Sequence, residues 1–98
     1  MKVFIIDPMS CEERIKSIAE FFEEMGDQVD YVRNQPQKTF ETLVREAFVS
    51  IADADRIVAV RKDDGTFGEG TMYEIAFAEF IGKQITKFGK VDRERRNL

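Results

Sequence analysis

The feature that most constrains this chain is a repeated change in the period of its apolar residues. Short runs of β-branched and aromatic residues fit strands, and apolar residues recurring every three to four positions fit helices. Lys2-Val3-Phe4-Ile5-Ile6 is such a run, with the look of a strand buried on both faces. Asp7-Pro8-Met9-Ser10 ends it, because proline cannot continue a central strand. From Glu12 the spacing turns helical, with Ile15, Ile18, Ala19, Phe22 and Met25 on one face. Ser10 suits the cap of that helix, Glu12 and Glu13 suit its first turn, and Gly26 suits its end. A second strand is expected over 28–33 around Val29, Tyr31 and Val32, followed by the loop Asn34-Gln35-Pro36-Gln37. Thr39 then caps a helix that carries Phe40, Leu43, Val44, Ala47, Phe48 and Ile51 on one side. Asp53-Ala54-Asp55 closes that helix, and Arg56-Ile57-Val58-Ala59-Val60-Arg61 is the clearest strand of all. A polar loop over 62–68 leads to a third helix expected from about Thr71 to Ile81. Gly82 ends it, and Gln84 to Phe88 forms a fourth strand.

Four strands alternating with three helices predict an α/β fold with a wholly parallel sheet, right-handed crossovers and helices on both faces. The expected architecture is three-layered, flavodoxin-like or Rossmann-like, with strand order 2-1-3-4. Residues 1–88 would form the domain and 89–98 a charged tail. Ligands of such sheets bind beyond the carboxyl ends of the strands, at a topological switch point. That edge is built here from the loops 7–11, 34–38 and 62–70.

Composition narrows the chemistry. The chain has no His, which excludes His-based nucleophile systems, His general bases and His-ligated metals. Cys11 is the single cysteine, so an internal disulfide is excluded. The net charge is −4 even though the tail is basic, with Lys90, Arg93, Arg95 and Arg96 against Asp92 and Glu94. An acidic body disfavours nucleic acid as a partner, since phosphate backbones reward clustered positive charge. No apolar run approaches the ~20 residues needed to span a membrane. The opening segment does not read as a signal peptide either, so a cytoplasmic location is expected.

The segment Asp63-Asp64-Gly65-Thr66-Phe67-Gly68-Glu69-Gly70-Thr71-Met72-Tyr73-Glu74 concentrates what chemistry remains. Gly68 and Gly70 allow a sharp bend and a close backbone approach to a ligand. Thr71 can cap the helix or offer its hydroxyl to a ligand, and the helix start directs free N–H groups at the same place. Glu74 would fall in the first turn, where the helix dipole favours an ionised carboxylate able to act as a nucleophile. The same spacing also describes a plain capping box, Thr71 to Glu74. On spacing alone the capping box is favoured about two to one. The two glycines do not complete a dinucleotide fingerprint, and no P-loop motif occurs.

Three segments in order resemble the nucleoside 2-deoxyribosyltransferase family: Ala54-Asp55-Arg56-Ile57-Val58-Ala59-Val60, Gly70-Thr71-Met72-Tyr73-Glu74-Ile75-Ala76-Phe77-Ala78 and Gly82-Lys83-Gln84-Ile85. The opening Lys2-Val3-Phe4-Ile5-Ile6-Asp7-Pro8-Met9-Ser10 is similar to that family's first strand and Pro-containing loop. The resemblance implies N-glycosidic bond cleavage or transfer on a nucleoside or nucleotide. Glu74 would be the nucleophile and Glu69 an acid/base, while Asp7, Ser10, Gly68, Gly70 and Thr71 line the sugar site. It implies no cofactor and no metal, and a homo-oligomer. Phe4 stands where the family usually has Tyr, and Ala47 and Gly68 stand where many members have Asp. Asp7 replaces a family Gly, and its charge would repel a 5′-phosphate. The alternative is therefore a catalytically inactive module of the same fold, binding a nucleoside-like ligand or a protein. A phosphoribohydrolase of the Lonely Guy type shares a Gly-Thr-x-x-Glu turn, but its paired glycines are missing here.

Asp7, Asp63 and Asp64 read as solvated loop acids rather than a divalent-cation site. Phe21, Phe22, Phe48, Phe77 and Phe80 read as core. Four strands with an uncovered edge invite pairing with a second copy.

Overall fold

The computed structural model describes residues 1–6, 12–31 and 37–89. Seven elements follow in order: β1 (Lys2–Ile6), α1 (Glu12–Glu24), β2 (Gln28–Tyr31), α2 (Phe40–Asp53), β3 (Arg56–Val60), α3 (Glu69–Phe80) and β4 (Gln84–Phe88). All strand pairings are parallel and the strand order is β2-β1-β3-β4. The alternation of periods is therefore realised as an α/β, flavodoxin-like, three-layer fold with the expected order. The expected Asp7-Pro8 loop, the Ser10 cap, the loop 34–36 and most of the tail lie outside the described residues.

Each strand of the central pair divides its side chains between two cores. Val3, Ile5, Val58 and Val60 face α1 through Ile15, Ile18 and Ala19. Phe4, Ile6 and Ile57 face the other way, where Ala47, Ile51, Ala54 and Ala78 pack from α2 and α3. Alternation with period two in β1 and β3 thus feeds both layers, which is why their sequences read as unbroken apolar runs. α2 and α3 also pack on each other. The rings of Phe48 and Phe77 stack with centroids 4.3 Å apart and planes 6° from parallel.

Helix boundaries follow local chemistry. Thr39 caps α2 as expected, its side chain accepting from the Thr42 N–H at 3.1 Å. Gly26 and Gly82 take the left-handed conformations, φ 91° and 78°, that turn the chain after α1 and α3. Not every phenylalanine belongs to the core, however. Phe22, Phe48 and Phe77 pack against it, whereas Phe21 and Phe80 are exposed. In α3 the sheet-facing positions are Thr71, Ile75 and Ala78, which leaves Phe80 on the outward side. Met25 and Phe40, expected on core-facing stripes, are also exposed because each lies at or beyond its helix end.

The amino edge of the sheet is held by a clasp around the α2–β3 turn. Asp55 accepts from the Lys2 N–H at 2.7 Å and returns its own N–H to the Lys2 carbonyl at 2.8 Å. Lys2 Nζ pairs with Asp53 at 2.8 Å, and Lys83 Nζ donates to the Ala54 carbonyl at 2.7 Å. The hydrogen bond from Lys2 and its charge hold the Asp53 carboxyl below its ordinary 3.8. The same contact raises Lys2 above 10.5.

Two outcomes follow for stability. Ile51 is fully buried, so Ile51→Ala should cost about 2–5 kcal/mol in urea unfolding. The ion pair's contribution should be complete between the two ordinary values, 3.8 and 10.5. It should fade as pH falls through the depressed Asp53 value or rises through the elevated Lys2 value. Asp53→Asn should accordingly lower the urea midpoint at pH 7 and match the wild type in acid. A gap that persists in acid would exclude the carboxylate as its source.

Candidate functional site

The loop from β3 into α3 lies at the carboxyl edge of the sheet and carries its own scaffold. A turn forms at its centre: Gly65 donates its N–H to the Lys62 carbonyl at 2.9 Å, and Lys62 donates to the Thr66 carbonyl at 2.7 Å. Gly65 takes φ 86°, so the sharp bend expected at Gly68 and Gly70 is made three residues earlier. Asp64 accepts from both the Thr66 hydroxyl, at 2.6 Å, and the Thr66 N–H, at 2.9 Å. Those two bonds lower its pKa, the hydroxyl contact contributing most.

Two arginines tie this turn to the body. Arg61 donates Nη1 to the Gly65 carbonyl at 3.3 Å, and its guanidinium carbon lies 4.5 Å from the Phe67 ring centroid. Arg14, on α1, donates to the Arg61 carbonyl at 3.1 Å and to Asp63 at 2.5 Å. Asp63 and Asp64 are thus loop-shaping acids. Among the described residues, no group of three or more Cys, Asp or Glu side chains gathers as a metal ion would require. None of these arginine contacts was foreseen. The sequence signal for them is slight, a cation six residues before an aromatic and a helical Arg far along the chain.

The start of α3 differs from expectation. Gly68, extended at φ −64° and ψ 159°, is the N-cap, and it supplies no side-chain bond. Its carbonyl accepts from the Met72 N–H at 3.0 Å, so Glu69 is the first helical residue, two positions earlier than read from sequence. Thr71 therefore neither caps the helix nor forms a capping box with Glu74. It sits inside the first turn and is buried against the sheet. A glycine cap tolerates this arrangement, and Glu69 supplies the carboxylate that the helix dipole favours there. Glu74 lies one turn further along, beyond the reach of the dipole.

Position along α3 nonetheless gives Glu74 a defined setting. Gly70 lies against Phe40 of α2, where an added Cβ would come within 3.2 Å of the ring. Phe77 stacks on Phe48 of the same helix. Glu74 is four residues from the first and three from the second, so it shares their α2-facing line. It is half-buried, next to the sheet-facing Thr71, Ile75 and Ala78. Gly68, Glu69, Gly70, Thr71 and Glu74 thus come together at one end of α3, with Glu69 exposed and Thr71 buried. Asp7 and Ser10 lie outside the described residues.

On the other face of the same edge, Arg14, Lys62, Asp63, Phe88 and Gly89 line a groove of about 560 Å³. Of the described residues singled out for the sugar site, Gly68, Gly70 and Thr71, none borders it. Phe4 and Ala47 are both buried in the core between the sheet and α2.

No family model matches the chain, and no curated protein matches it by sequence. Among solved structures, the chain is similar to the CMP N-glycosidase BcmB of Clostridium botulinum. The two share 25% identity over 89% of this chain and 67% of that one, with a TM-score of 0.69.

The arginine scaffold can be checked directly. Arg61→Met removes one hydrogen bond and one cation–π contact and should cost about 1–2 kcal/mol. Amide exchange at Gly65 and Thr66 should quicken by roughly five- to thirtyfold while β1 and β3 stay protected. Uniform acceleration across the whole chain would mean that Arg61 supports the fold rather than the loop.

Proposed function

We propose that the chain cleaves or transfers the N-glycosidic bond of a nucleoside or deoxynucleoside, with Glu74 as nucleophile. The observation that carries this reading is the placement of Glu74. It is a half-buried carboxylate on the α2-facing line of α3, one turn behind a glycine-flanked helix start at the ligand-binding edge. The likeness to a CMP N-glycosidase supports it.

The chemistry needs no cofactor. The Glu74 carboxylate attacks the anomeric carbon, and the C–N bond breaks with its electron pair leaving on the base. Glu69, exposed at the helix start, protonates the departing base. Its carboxylate then takes a proton from water, or a second base attacks, and the glycosyl–Glu74 ester is resolved. Gly68 and Gly70 let the sugar approach the backbone, Thr71 shapes the floor, and Asp7 and Ser10 complete the sugar site. The partner is a small nucleoside or nucleotide, and the protein acts as a homo-oligomer. Nucleic acid is disfavoured by the net charge of −4. Among the described residues no helix is long and apolar enough to cross a membrane.

A second reading has its own support. Phe4 and Ala47 fill the positions of a family Tyr and Asp with apolar packing, in one buried cluster. A chain that has exchanged polar site groups for core can keep the fold and a ligand while losing turnover.

Base release from cytidine, deoxycytidine, CMP and other nucleosides and monophosphates separates the two. Glu74→Ala should abolish release, and Glu74→Gln, which keeps the size and hydrogen-bonding capacity of the side chain, should leave thermal stability within about 1 kcal/mol. Nucleosides should be cleaved in preference to monophosphates if Asp7 meets the 5′ end. No turnover with any substrate, together with ligand binding indifferent to Glu74→Gln, would leave the non-catalytic reading standing.

A further inference from the structure

The helices are divided unequally between the two sides of the sheet. α2 and α3 cover one side, and among the described residues α1 alone covers the other. α1 serves β1 and β2 there, where Val29 and Tyr31 pack with Ile15, Ile18 and Ala19. β4 has no such cover. Its Ile85 packs toward α2 and α3, so period two turns Gln84, Thr86 and Phe88 to the α1 side, and all three are exposed. Their neighbours in register on β3 are Arg56, Val58 and Val60, of which the two valines are buried. A line along α1, through Arg14, Ile18, Phe21 and Met25 just past its end, borders this ledge. Arg14 fixes the direction of that line by reaching the Arg61 carbonyl and Asp63 at the end of β3. Phe21 is 58% exposed and Met25 65%. At its carboxyl end the ledge runs into the groove lined by Arg14, Lys62 and Phe88.

Each end of the ledge carries a cation without an acceptor. Arg56, at the amino end, is half-buried, and its Nε is a buried donor with no hydrogen bond. Among the described residues its guanidinium makes no hydrogen bond or ion pair. Lys62 Nζ, at the carboxyl end, makes none either. The acids close to them are engaged elsewhere: Asp55 on the Lys2 N–H, Asp63 on Arg14 and Asp64 on Thr66. A half-buried guanidinium with an unmet donor lowers stability, and a carboxylate brought to it by a ligand makes one of the stronger protein hydrogen bonds.

We propose that this ledge docks an amphipathic helix of another protein, lying beside α1 with one carboxylate on Arg56 and a second on Lys62. Layering favours a helix, because one more beside α1 completes the side of the sheet that has a single helix. Length sets its size. The five residues of β4 span about 16 Å, which about 11 helical residues cover in three turns. Charge selects a different protein. A two-fold pair of this chain would set the patch against itself and leave Arg56 and Lys62 among cations. Residues 90–96 are no better matched, with Lys90, Arg93, Arg95 and Arg96 against Asp92 and Glu94. Glu13, Glu20 and Glu24 lie with Ser17 on the next, outward line of α1, all exposed, so the partner's flank against them is neutral or basic. The ledge is on the side of the sheet opposite α3 and Glu74, and its occupancy is measurable without turnover.

The probe is a synthetic helix of about 14 residues, with leucines at i+3, i+4, i+7 and i+8 and glutamates at i and i+11. Fluorescence anisotropy should show it binding at least tenfold more tightly than the same peptide with both glutamates changed to glutamine. Arg56→Gln should weaken the glutamate peptide about tenfold and leave the glutamine peptide within about twofold. The backbone amide signals of Gln84, Thr86 and Phe88 should shift as the glutamate peptide is added. Arg56→Leu, which removes the unpaired group, should raise the urea midpoint or leave it unchanged. Equal affinities for the two peptides, including no binding of either, would overturn the proposal, as would a loss on Arg56→Gln that both peptides share. A lower urea midpoint in Arg56→Leu would also overturn it, by making Arg56 a support of the fold. Shifts of the three amides with the concentration of the chain alone would give the ledge to a second copy and overturn it too.

Discussion

The structure depends on burying one pair of parallel strands on both faces. β1 and β3 contribute Val3, Phe4, Ile5, Ile6, Ile57, Val58, Ala59 and Val60, every one of them buried. A parallel pair achieves this only between two helical layers. With three helices available, α1 covers one side and α2 with α3 cover the other. Most of β2 and β4 is left exposed as a result, and β4 buries no residue fully. The same division decides where chemistry can sit. The two helices on one face begin at the same edge, so Phe40 of α2 meets Gly70 of α3 near the carboxyl ends of the strands.

The fold was legible in the sequence because period is a direct consequence of burial. Val3 to Ile6 and Ile57 to Val60 read as strands from their unbroken apolar runs, and Thr39, Gly26 and Gly82 marked ends by their chemistry. Errors arose where period alone assigned a side. Phe80 fits a helical apolar stripe as well as Phe77 does, but only packing distinguishes a ring stacked on Phe48 from one facing outward. The start of α3 was misplaced for a related reason. Thr71 is a better intrinsic cap than Gly68, yet burying its side chain against the sheet outweighs a cap bond that solvent can replace.

The site was legible in part. Gly68, Glu69, Gly70, Thr71 and Glu74, grouped from sequence as candidates, lie along the start of α3, with Thr71 buried against the sheet. What supports them was not legible. Arg14 reaches Arg61 and Asp63 across 47 and 49 residues, and no local pattern announces such contacts. Nor does the sequence link Phe67, an aromatic in a polar loop, to the Arg61 guanidinium that lies over its ring.

The clasp at the amino edge carries a consequence of a different kind. Lys2, Asp53, Asp55 and Lys83 lock the strand starts at the end of the sheet opposite the loops that bear the candidate site. Backbone bonds and charged pairs there do not depend on which residues occupy 62–70. Substitutions in that loop are therefore buffered: they meet a scaffold whose register is already set from the far end. A chain organised in this way can exchange loop residues over generations, acquiring or losing a reaction, without first risking its ability to fold. Phe4 and Ala47, by contrast, sit within the buried core itself, where a substitution meets close packing rather than a loop.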